Sequence, residues 1–311
     1  MKKISIIGSG SWALALTKVI VEKKIKIKYR KTLDKKKYAN KKIKFTNKFK
    51  ELDDSEYIFL AIPSQTIREN LIKLKAKTKN KNFVFIVCSK GVERKTCKLM
   101  NEVILDIFPT NKVVILSGPN FSSELIAKKP SACVLSSLNK TTLLEVSTIF
   151  SQKRFRVYFN NDIIGTQLGG AMKNVIAIAC GFVKGNRLGE NAKAAIITRG
   201  ISEIVKLGLN MGAKTKTFYG LSGIGDLVLT CSSLKSRNTK FGFDLATGKN
   251  YSQLKKNIVL EGVESCESIC NLGKKYKVEL PLCDSVKKII KGVDSNKIIS
   301  KLLSRPLQFE N

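Results

Sequence analysis

The sequence predicts an α/β fold, with an N-terminal Rossmann-like doubly wound parallel sheet and an all-α C-terminal domain. Short apolar runs alternate with helical patterns up to Asn160, which is typical of a doubly wound sheet. A glycine-rich turn directly follows the first of these runs. Beyond Asn160 the strand-like runs stop, and only helical patterns follow. We therefore predict two domains, residues 1–161 and 162–311, with a ligand site at the seam between them.

The N-terminus places a glycine-rich turn between a strand and a helix. Lys3–Ile7 is a short β-prone run, Gly8, Gly10 and Ala13 form the pattern G-x-G-x-x-A, and residues 12–22 have helical spacing. Such a turn lets backbone N–H groups at the N-terminus of the helix bind a pyrophosphate. We therefore expect the first domain to bind NAD or NADP, with Gly8 and Gly10 next to the phosphates.

The end of the second strand bears on the choice between these cofactors. Folds that bind NAD usually place Asp or Glu about 20 residues after the glycine turn. Here the β-prone run Ile25–Tyr29 contains Lys28 and is followed directly by Arg30. A basic strand end suits the 2′-phosphate of NADP, so we expect a weak preference for NADPH. The alternative is that these residues only share the general excess of lysine in the chain.

Further apolar runs complete a sheet of about eight strands. Tyr57–Ile62 is continuously apolar, as expected for a strand buried on both faces. Lys90 follows another such run, Phe83–Val87, at the carboxyl edge where open α/β sheets bind ligands. The other predicted strands are Ile43–Phe45, Val113–Leu116, Ala132–Ser136 and Phe155–Phe159. The predicted helices of this half are 64–74, 95–107, 122–127 and 140–150.

Composition excludes several function classes. The net charge is +33, but the lysines are spread along the chain, which favours general enrichment over a local nucleic-acid surface. No uninterrupted apolar run reaches the ~18–20 residues of a membrane span, so we expect no membrane insertion. The eight cysteines include no C-x-x-C pair, which predicts free thiols and a cytoplasmic location.

The chain contains no histidine. This excludes Ser-His and Cys-His catalysis and His-ligated zinc, and we expect no bound metal. Proton transfer must use another side chain, and Lys173 is the strongest candidate. It lies with Asn174 inside residues 165–181, a helical stretch otherwise made of apolar and small residues. A desolvated lysine can have a pKa of ~7–8 and transfer protons at neutral pH. The alternative is a lysine that extends to the surface.

The C-terminal half adds polar groups suited to a phosphorylated ligand. Glycines crowd the approach to a helix that starts near Asp226, and Thr230 lies one turn further on. Arg237 stands between Ser236 and Asn238, and arginine suits bidentate phosphate binding. Glu261 precedes a glycine in a predicted loop. The predicted helices of this half are 162–184, 190–211, 225–234, 264–275, 282–292 and 294–304.

Seven segments between residue 4 and about residue 285 resemble the motifs of bacterial NAD(P)-dependent glycerol-3-phosphate dehydrogenases. They are GSGSWALAL, SKGVE, SGPNF, LGGAMKNVIAIACG, NAKAAIITRG, GLSGIGDLVLTCSSLKSRNTKFG and VLEGVES, in this order. The resemblance implies that Lys173 is the catalytic lysine. The substrate contacts that it implies are Lys90, Gly118, Asp226, Ser236, Arg237 and Asn238. The cofactor contacts that it implies are Ser11, Trp12, Arg30, Lys90, Arg237, Val259 and Glu261.

Five positions depart from the usual pattern of that family, and two of them, Lys28 and Tyr29, replace a more usual aromatic and small residue and leave the cofactor preference open. Ala13 and Asn120 replace the more usual Gly and Ser, and Ser122 replaces Ala. We assign Asn120 to the substrate and Ser122 to the cofactor by their places in the motif. The departure at Ala13 concerns only the spacing between helix and strand.

The resemblance implies reversible reduction of dihydroxyacetone phosphate to sn-glycerol 3-phosphate with NAD(P)H, for phospholipid synthesis. The implied ligand is a small phosphorylated molecule, and the chain could assemble as a homodimer. One alternative is another lysine-dependent dehydrogenase of this architecture, acting on a β-hydroxyacid or a phosphogluconate. A second is a non-catalytic basic NADP-binding protein, which would show steeply salt-dependent DNA binding and no turnover.

Overall fold

The computed structural model describes residues 2–21, 24–29, 43–150, 153–249 and 259–293. Its N-terminal half is built on an eight-stranded sheet of order β3-β2-β1-β4-β5-β6-β7-β8. The strands are β1 Ile4–Ile7, β2 Ile25–Lys28, β3 Ile43–Thr46, β4 Tyr57–Leu60, β5 Val84–Val87, β6 Lys112–Ser117, β7 Ser131–Ser136 and β8 Phe155–Asn160. The strand order reverses beside β1, which is where such sheets open a ligand crevice.

Helices cover both faces of this sheet. They are α1 Ser11–Val19, α2 Ile67–Lys77, α3 Met100–Ile107, α4 Ser122–Ile126 and α5 Lys140–Ser147. One apolar cluster joins α1, α4 and α5 to one face, and another joins α2 and α3 to the other. Every residue of β1 and β4 is buried, and for β4 its continuous apolar sequence predicted this.

The sheet differs from the predicted parallel arrangement at one place. Strands β6 and β7 are antiparallel, with Leu116 opposite Leu135, whereas β7 and β8 are parallel to each other. A parallel crossover usually needs a dozen or more residues arranged as a full helix. The connection 118–130 holds only the five-residue α4, so the chain returns beside β6 in the opposite direction.

The C-terminal half is helical, as predicted. Its helices are α6 Ile163–Gly185, α7 Gly189–Asn210, α8 Thr215–Phe218, α9 Asp226–Cys231, α10 Arg237–Ala246, α11 Glu261–Lys275 and α12 Pro281–Ile290. A tight π-type turn, Leu221–Gly225, leads into α9. Strand β8 ends at Asn160 and α6 begins at Ile163, and the domain boundary that we drew between them stays a prediction.

Several element predictions need correction. Helix α10 was missed, and Glu261 is the first residue of α11, not part of a loop. Helix α3 begins at Met100 and not at residue 95, because Cys97 has a φ of 56° and Val92 forms a bridge to Leu99. The predicted helix 294–304 lies outside the described residues.

Helix α6 is the centre of the helical half. Every residue from Gly165 to Val183 is buried. By length and composition alone this helix could cross a membrane, although it contains no long uninterrupted apolar run. However, 89% of its most apolar window is buried inside the structure, so packing within the fold accounts for its composition.

The closest packing of α6 is against α10, and it depends on two glycines. A Cβ atom at Gly181 would lie 1.9 Å from the carbonyl oxygen of Thr239, and one at Gly242 would lie 2.0 Å from that of Ile178. The two backbones therefore touch, as the small residues in 165–181 predicted. This contact fixes the start of α10 relative to Lys173.

We predict that Gly181→Ala destabilises the protein by about 1–3 kcal/mol, because a methyl group cannot fit against the backbone of α10. Thermal or urea unfolding of purified protein measures this change. Gly220→Ala is the matched control, since a Cβ there would meet only the carbonyl oxygen of Thr217 at 3.4 Å. Equal stability of the two variants would contradict the close approach of α6 and α10.

Candidate active site

A buried carboxylate between two ammonium groups forms the centre of the seam. Asp226 has no solvent exposure. One of its oxygens accepts a short hydrogen bond from Lys173 Nζ, and the other accepts one of 2.6 Å from Lys90 Nζ. Lys90 comes from the sheet and Lys173 from α6, so this carboxylate joins the two halves of the chain. The predicted grouping of Lys173, Lys90 and Asp226 is thus present in space.

Local structure explains how each group reaches this point. Lys90 follows β5 at the carboxyl edge of the sheet, and its Nζ also donates to the carbonyl of Gly118, 2.9 Å away. Asp226 begins α9 after the π-type turn, where Gly223 lies so close to Phe218 O that a Cβ would be 2.1 Å away. Thr230, one turn further on, accepts a hydrogen bond of 2.7 Å from Lys173 Nζ.

The surroundings of Lys173 change its acidity. Burial lowers the pKa of Lys173 to about 8, and repulsion from Lys90 adds to this effect, whereas the charge and hydrogen bond of Asp226 oppose it. This lowering of the pKa is in the direction that we expected for a lysine inside an apolar helix. Such a lysine can both give and take a proton near neutral pH.

An amide network joins this centre to α10 and α11. Asn174 donates through Nδ2 to the carbonyls of Lys90 and Gly170, at 3.3 and 3.2 Å. Its Oδ1 accepts from Asn238 Nδ2 at 3.0 Å, and Asn238 Oδ1 accepts from the backbone N–H of Gly262 at 3.1 Å. Asn238 is therefore held in place by buried neighbours. We did not assign Asn174 a role from the sequence, although its place beside Lys173 in an apolar stretch was a signal.

The start of α10 carries the predicted phosphate-binding group. Ser236 is the N-cap of α10, and its hydroxyl accepts from the backbone N–H of Thr239 at 3.3 Å. Arg237 is the first helical residue, and its side chain is exposed and has no ion pair among the residues that the structure describes. A helix N-terminus with an exposed guanidinium is suited to an anionic group. Ser236 itself is buried, and its hydroxyl is already used by the cap.

The dinucleotide side of the seam has the geometry that the glycine pattern predicted. Gly8 has a φ of 122°, and a Cβ there would lie 2.2 Å from Ala61 O, so only glycine fits. A Cβ at Gly10 would meet nothing within 4 Å, which leaves the N-terminus of α1 open. Ser11 and Trp12 are the first residues of α1, and that first turn contains no acidic residue. These features fit a pyrophosphate.

Two of the departures from the family pattern, Asn120 and Ser122, follow β6, and a third, Ala13, lies in α1. Asn120 Nδ2 donates to Ala132 O at 2.8 Å, and its buried Oδ1 has no partner in the described residues. Ser122 begins α4, which packs against α1 and so lies beside the cofactor turn. Ala13 is fully buried against the sheet, which shows that its methyl group fits between helix and strand.

The remaining predicted contacts lie at the start of α11 or outside the described residues. Glu261 accepts two hydrogen bonds from Ser64, which follows β4. Val259 lies two residues before α11 and is 41% exposed. Arg30 lies outside the described residues. We did not assign Ser64 a role from the sequence, and its only signal was a position just beyond a buried strand.

Comparison with known proteins gives this site a context. The family model for the NAD-dependent glycerol-3-phosphate dehydrogenase N-terminus matches residues 3–143, and that for the C-terminus matches residues 162–300. A protein of Thermoanaerobacter sp. (strain X514) named glycerol-3-phosphate dehydrogenase (NAD(P)+) is 36% identical, over 99% of this chain and 98% of its own length. One of the same name from Zymomonas mobilis is 37% identical, over 99% of this chain and 94% of its own.

Solved structures agree with these matches. Glycerol-3-phosphate dehydrogenase from Coxiella burnetii has a TM-score of 0.91 and 31% identity, over 98% of this chain and 99% of that one. The enzyme of the same name from Saccharomyces cerevisiae has a TM-score of 0.82 but 22% identity, and so it supports the fold alone. On the strength of the full-length relatives and both domain matches, the chain belongs to the NAD-dependent glycerol-3-phosphate dehydrogenase family.

Proposed function

We propose that this member of the family reduces dihydroxyacetone phosphate to sn-glycerol 3-phosphate, reversibly, with Lys173 as the proton donor. One observation carries the proposal, namely a buried lysine with a pKa of about 8 that is held against Asp226 at the seam. Bound NAD(P)H supplies the hydride that adds to the carbonyl carbon. In the reverse direction neutral Lys173 accepts the proton of the hydroxyl group.

Proton transfer depends on three residues that have different roles, namely Lys173, Asp226 and Lys90. Lys173 donates a proton to the carbonyl oxygen as negative charge develops on it. Asp226 and Thr230 hold the ammonium group, which has few other positions available because its side chain is only 8% exposed. Lys90 balances the charge of Asp226. After Lys173 has lost its proton, Asp226 therefore still has one ammonium partner. The ammonium of Lys90 also contributes a hydrogen-bond donor to the glycerol end of the substrate.

Arg237 and Asn238 are the groups we assign to the substrate phosphate. The guanidinium is exposed at the N-terminus of α10, and Asn238 is fixed beside it by the amide network. Ser236 contributes by starting the helix at this point. Gly118 and Asn120, which follow β6, complete the substrate side.

We assign the cofactor to Gly8, Gly10, Ser11, Trp12 and Ser122 around α1, together with Val259, which precedes α11, and Glu261, its first residue. The weak preference for NADPH rests on the sequence Lys28-Tyr29-Arg30. Lys28 is partly engaged, since its Nζ donates to Tyr29 O and lies 4.5 Å from the ring centre of Phe49. Arg30 is therefore the residue that we expect to contact a 2′-phosphate. Comparing kcat/KM for NADPH and NADH at fixed ionic strength tests this preference.

The next proposals concern the location of the protein, the use of its product, its partners and its assembly. All eight cysteines are free, which supports a reducing compartment, and we propose the cytoplasm. The product would supply phospholipid synthesis. We propose a small phosphorylated molecule as the ligand, no nucleic-acid partner and no membrane insertion, and assembly as a homodimer.

We predict that Lys173→Ala lowers kcat by at least ~100-fold while the protein still binds the cofactor, because the proton donor is lost. Lys90 continues to neutralise the carboxylate of Asp226, so the variant is expected to fold. Initial rates of NADPH oxidation with dihydroxyacetone phosphate measure the effect. Lys75→Ala serves as control, since that lysine donates to Ile107 O far from the seam. A near-normal kcat for Lys173→Ala would refute the assignment.

We predict that Arg237→Ala raises KM for dihydroxyacetone phosphate about 10- to 100-fold with a small change in kcat, because a phosphate contact acts in ground and transition states alike. The matched control is Lys240→Ala, which removes an exposed positive charge one turn further along α10. An unchanged KM, with equal activity on unphosphorylated dihydroxyacetone, would favour a dehydrogenase for carboxylate substrates.

A further inference from the structure

A second contact across the seam joins Ser64 to Glu261. Ser64 follows β4 in a short 3-10 turn and is buried. Its backbone N–H donates to Glu261 Oε1 at 2.9 Å, and its hydroxyl donates to Oε2 in a short hydrogen bond. One residue of the N-terminal half thus binds both oxygens of a carboxylate from the helical half. Binding at both oxygens fixes the rotation of the carboxylate as well as its position.

Neighbouring atoms pack closely around the contact between Ser64 and Glu261. A Cβ at Gly91 would lie 2.4 Å from Ser64 Oγ and 2.8 Å from both Glu261 Oε2 and Ser265 Oγ. The two side chains therefore meet directly over the backbone of Gly91. Close packing of this kind limits the alternative rotamers of Glu261 while the hydroxyl of Ser64 is present.

The fixed carboxylate lies beside the group that we assign to the substrate phosphate. Glu261 and Arg237 are the first residues of α11 and α10, and those helix starts are tied by the bond from Gly262 N–H to Asn238 Oδ1. Burial raises the pKa of Glu261, and the bonds from Ser64 and the charge of Arg237 oppose this rise. The bond between the two helix starts thus places the carboxylate and the guanidinium at neighbouring helix ends, and no ion pair joins them in the described structure.

We propose that Ser64 is a positioning residue that couples the cofactor and phosphate subsites through Glu261. By binding both carboxylate oxygens, Ser64 keeps Glu261 oriented towards the dinucleotide side and keeps it from pairing with Arg237. The guanidinium then remains available for the substrate phosphate. Without the hydroxyl, one carboxylate oxygen loses its partner and turns to Arg237, which competes with the phosphate. This inference rests on the proposed roles of Glu261 and Arg237.

The test uses Ser64→Ala, which keeps the backbone N–H bond and removes only the hydroxyl. We expect the Kd for NADPH and the KM for dihydroxyacetone phosphate each to rise about 10-fold, with kcat within about twofold, as for the loss of one hydrogen bond to a charged group. Trp12 is the single tryptophan of the chain and begins the cofactor helix, so energy transfer from it to bound NADPH reports the Kd without turnover.

Ser265→Ala is the matched control. Its hydroxyl also crosses the seam, where it accepts from the backbone N–H of Val92 at 3.1 Å, but it does not bond to Glu261. We expect its Kd and KM to stay within about twofold of wild type. If Ser265→Ala reproduced the Ser64→Ala effects, Ser64 would only help to join the domains, and the inference would be overturned. A fall in kcat with unchanged Kd and KM for Ser64→Ala would also overturn it.

The double variant Ser64→Ala/Glu261→Gln decides whether Ser64 acts through Glu261. We expect that adding Ser64→Ala to the Glu261→Gln variant raises its Kd and KM by less than about twofold. If the effects of the two substitutions on Kd and KM were fully additive, Ser64 would not act through Glu261, and the inference would be overturned. A wild-type protein that binds NADPH but does not reduce dihydroxyacetone phosphate would instead refute the proposed function, because the Kd measurements do not depend on turnover.

Discussion

The buried carboxylate of Asp226, shared by Lys173 and Lys90, is the interaction on which the site depends. An isolated charge with no solvent exposure would be strongly destabilising, and two ammonium partners compensate for that cost. Because one partner comes from the sheet and the other from α6, the carboxylate also sets how the two halves meet. The same arrangement gives Lys173 its lowered pKa, since burial and Lys90 together outweigh the attraction of Asp226.

The helical half is packed so that this carboxylate stays where it is. Glycines at 181 and 242 bring the backbones of α6 and α10 into contact, and the N-cap Ser236 starts α10 at Arg237. The hydroxyl of Thr239 donates to Thr230 O at 2.7 Å, which ties α10 to the helix that carries Asp226. The proton-transfer group and the proposed phosphate group are therefore parts of one rigid cluster of helices.

Much of this organisation could be predicted from the sequence, because it depends on local patterns. The strand and turn at Gly8, the apolar helix around Lys173 and the strand end at Lys90 each follow from spacing along the chain. Helix α10 was missed because its N-cap, Ser236, belongs to a polar stretch that has the composition of a loop. Glu261 was placed in a loop because its helix begins with Glu-Gly, a weak start signal.

Contacts between distant segments could not be predicted in this way. The bonds from Ser64 to Glu261 join residues 197 positions apart, and the bond between Asn174 and Asn238 joins residues 64 positions apart. Their partners are set by the packing of α6, α10 and α11, which no single stretch of sequence encodes. The antiparallel direction of β7 was likewise not predicted, although the short helix in its connection was predicted at residues 122–127.

The pH dependence of initial rates in both directions tests the role of Lys173 most directly. Reduction of dihydroxyacetone phosphate needs the ammonium form, so its kcat/KM should fall as the pH rises through about 8, the pKa of Lys173 in the free protein. Oxidation of glycerol 3-phosphate needs the neutral amine, so its kcat/KM should rise through the same region. Rates that do not change between about pH 6 and 10, or that move in the same sense in both directions, would contradict proton transfer by this lysine.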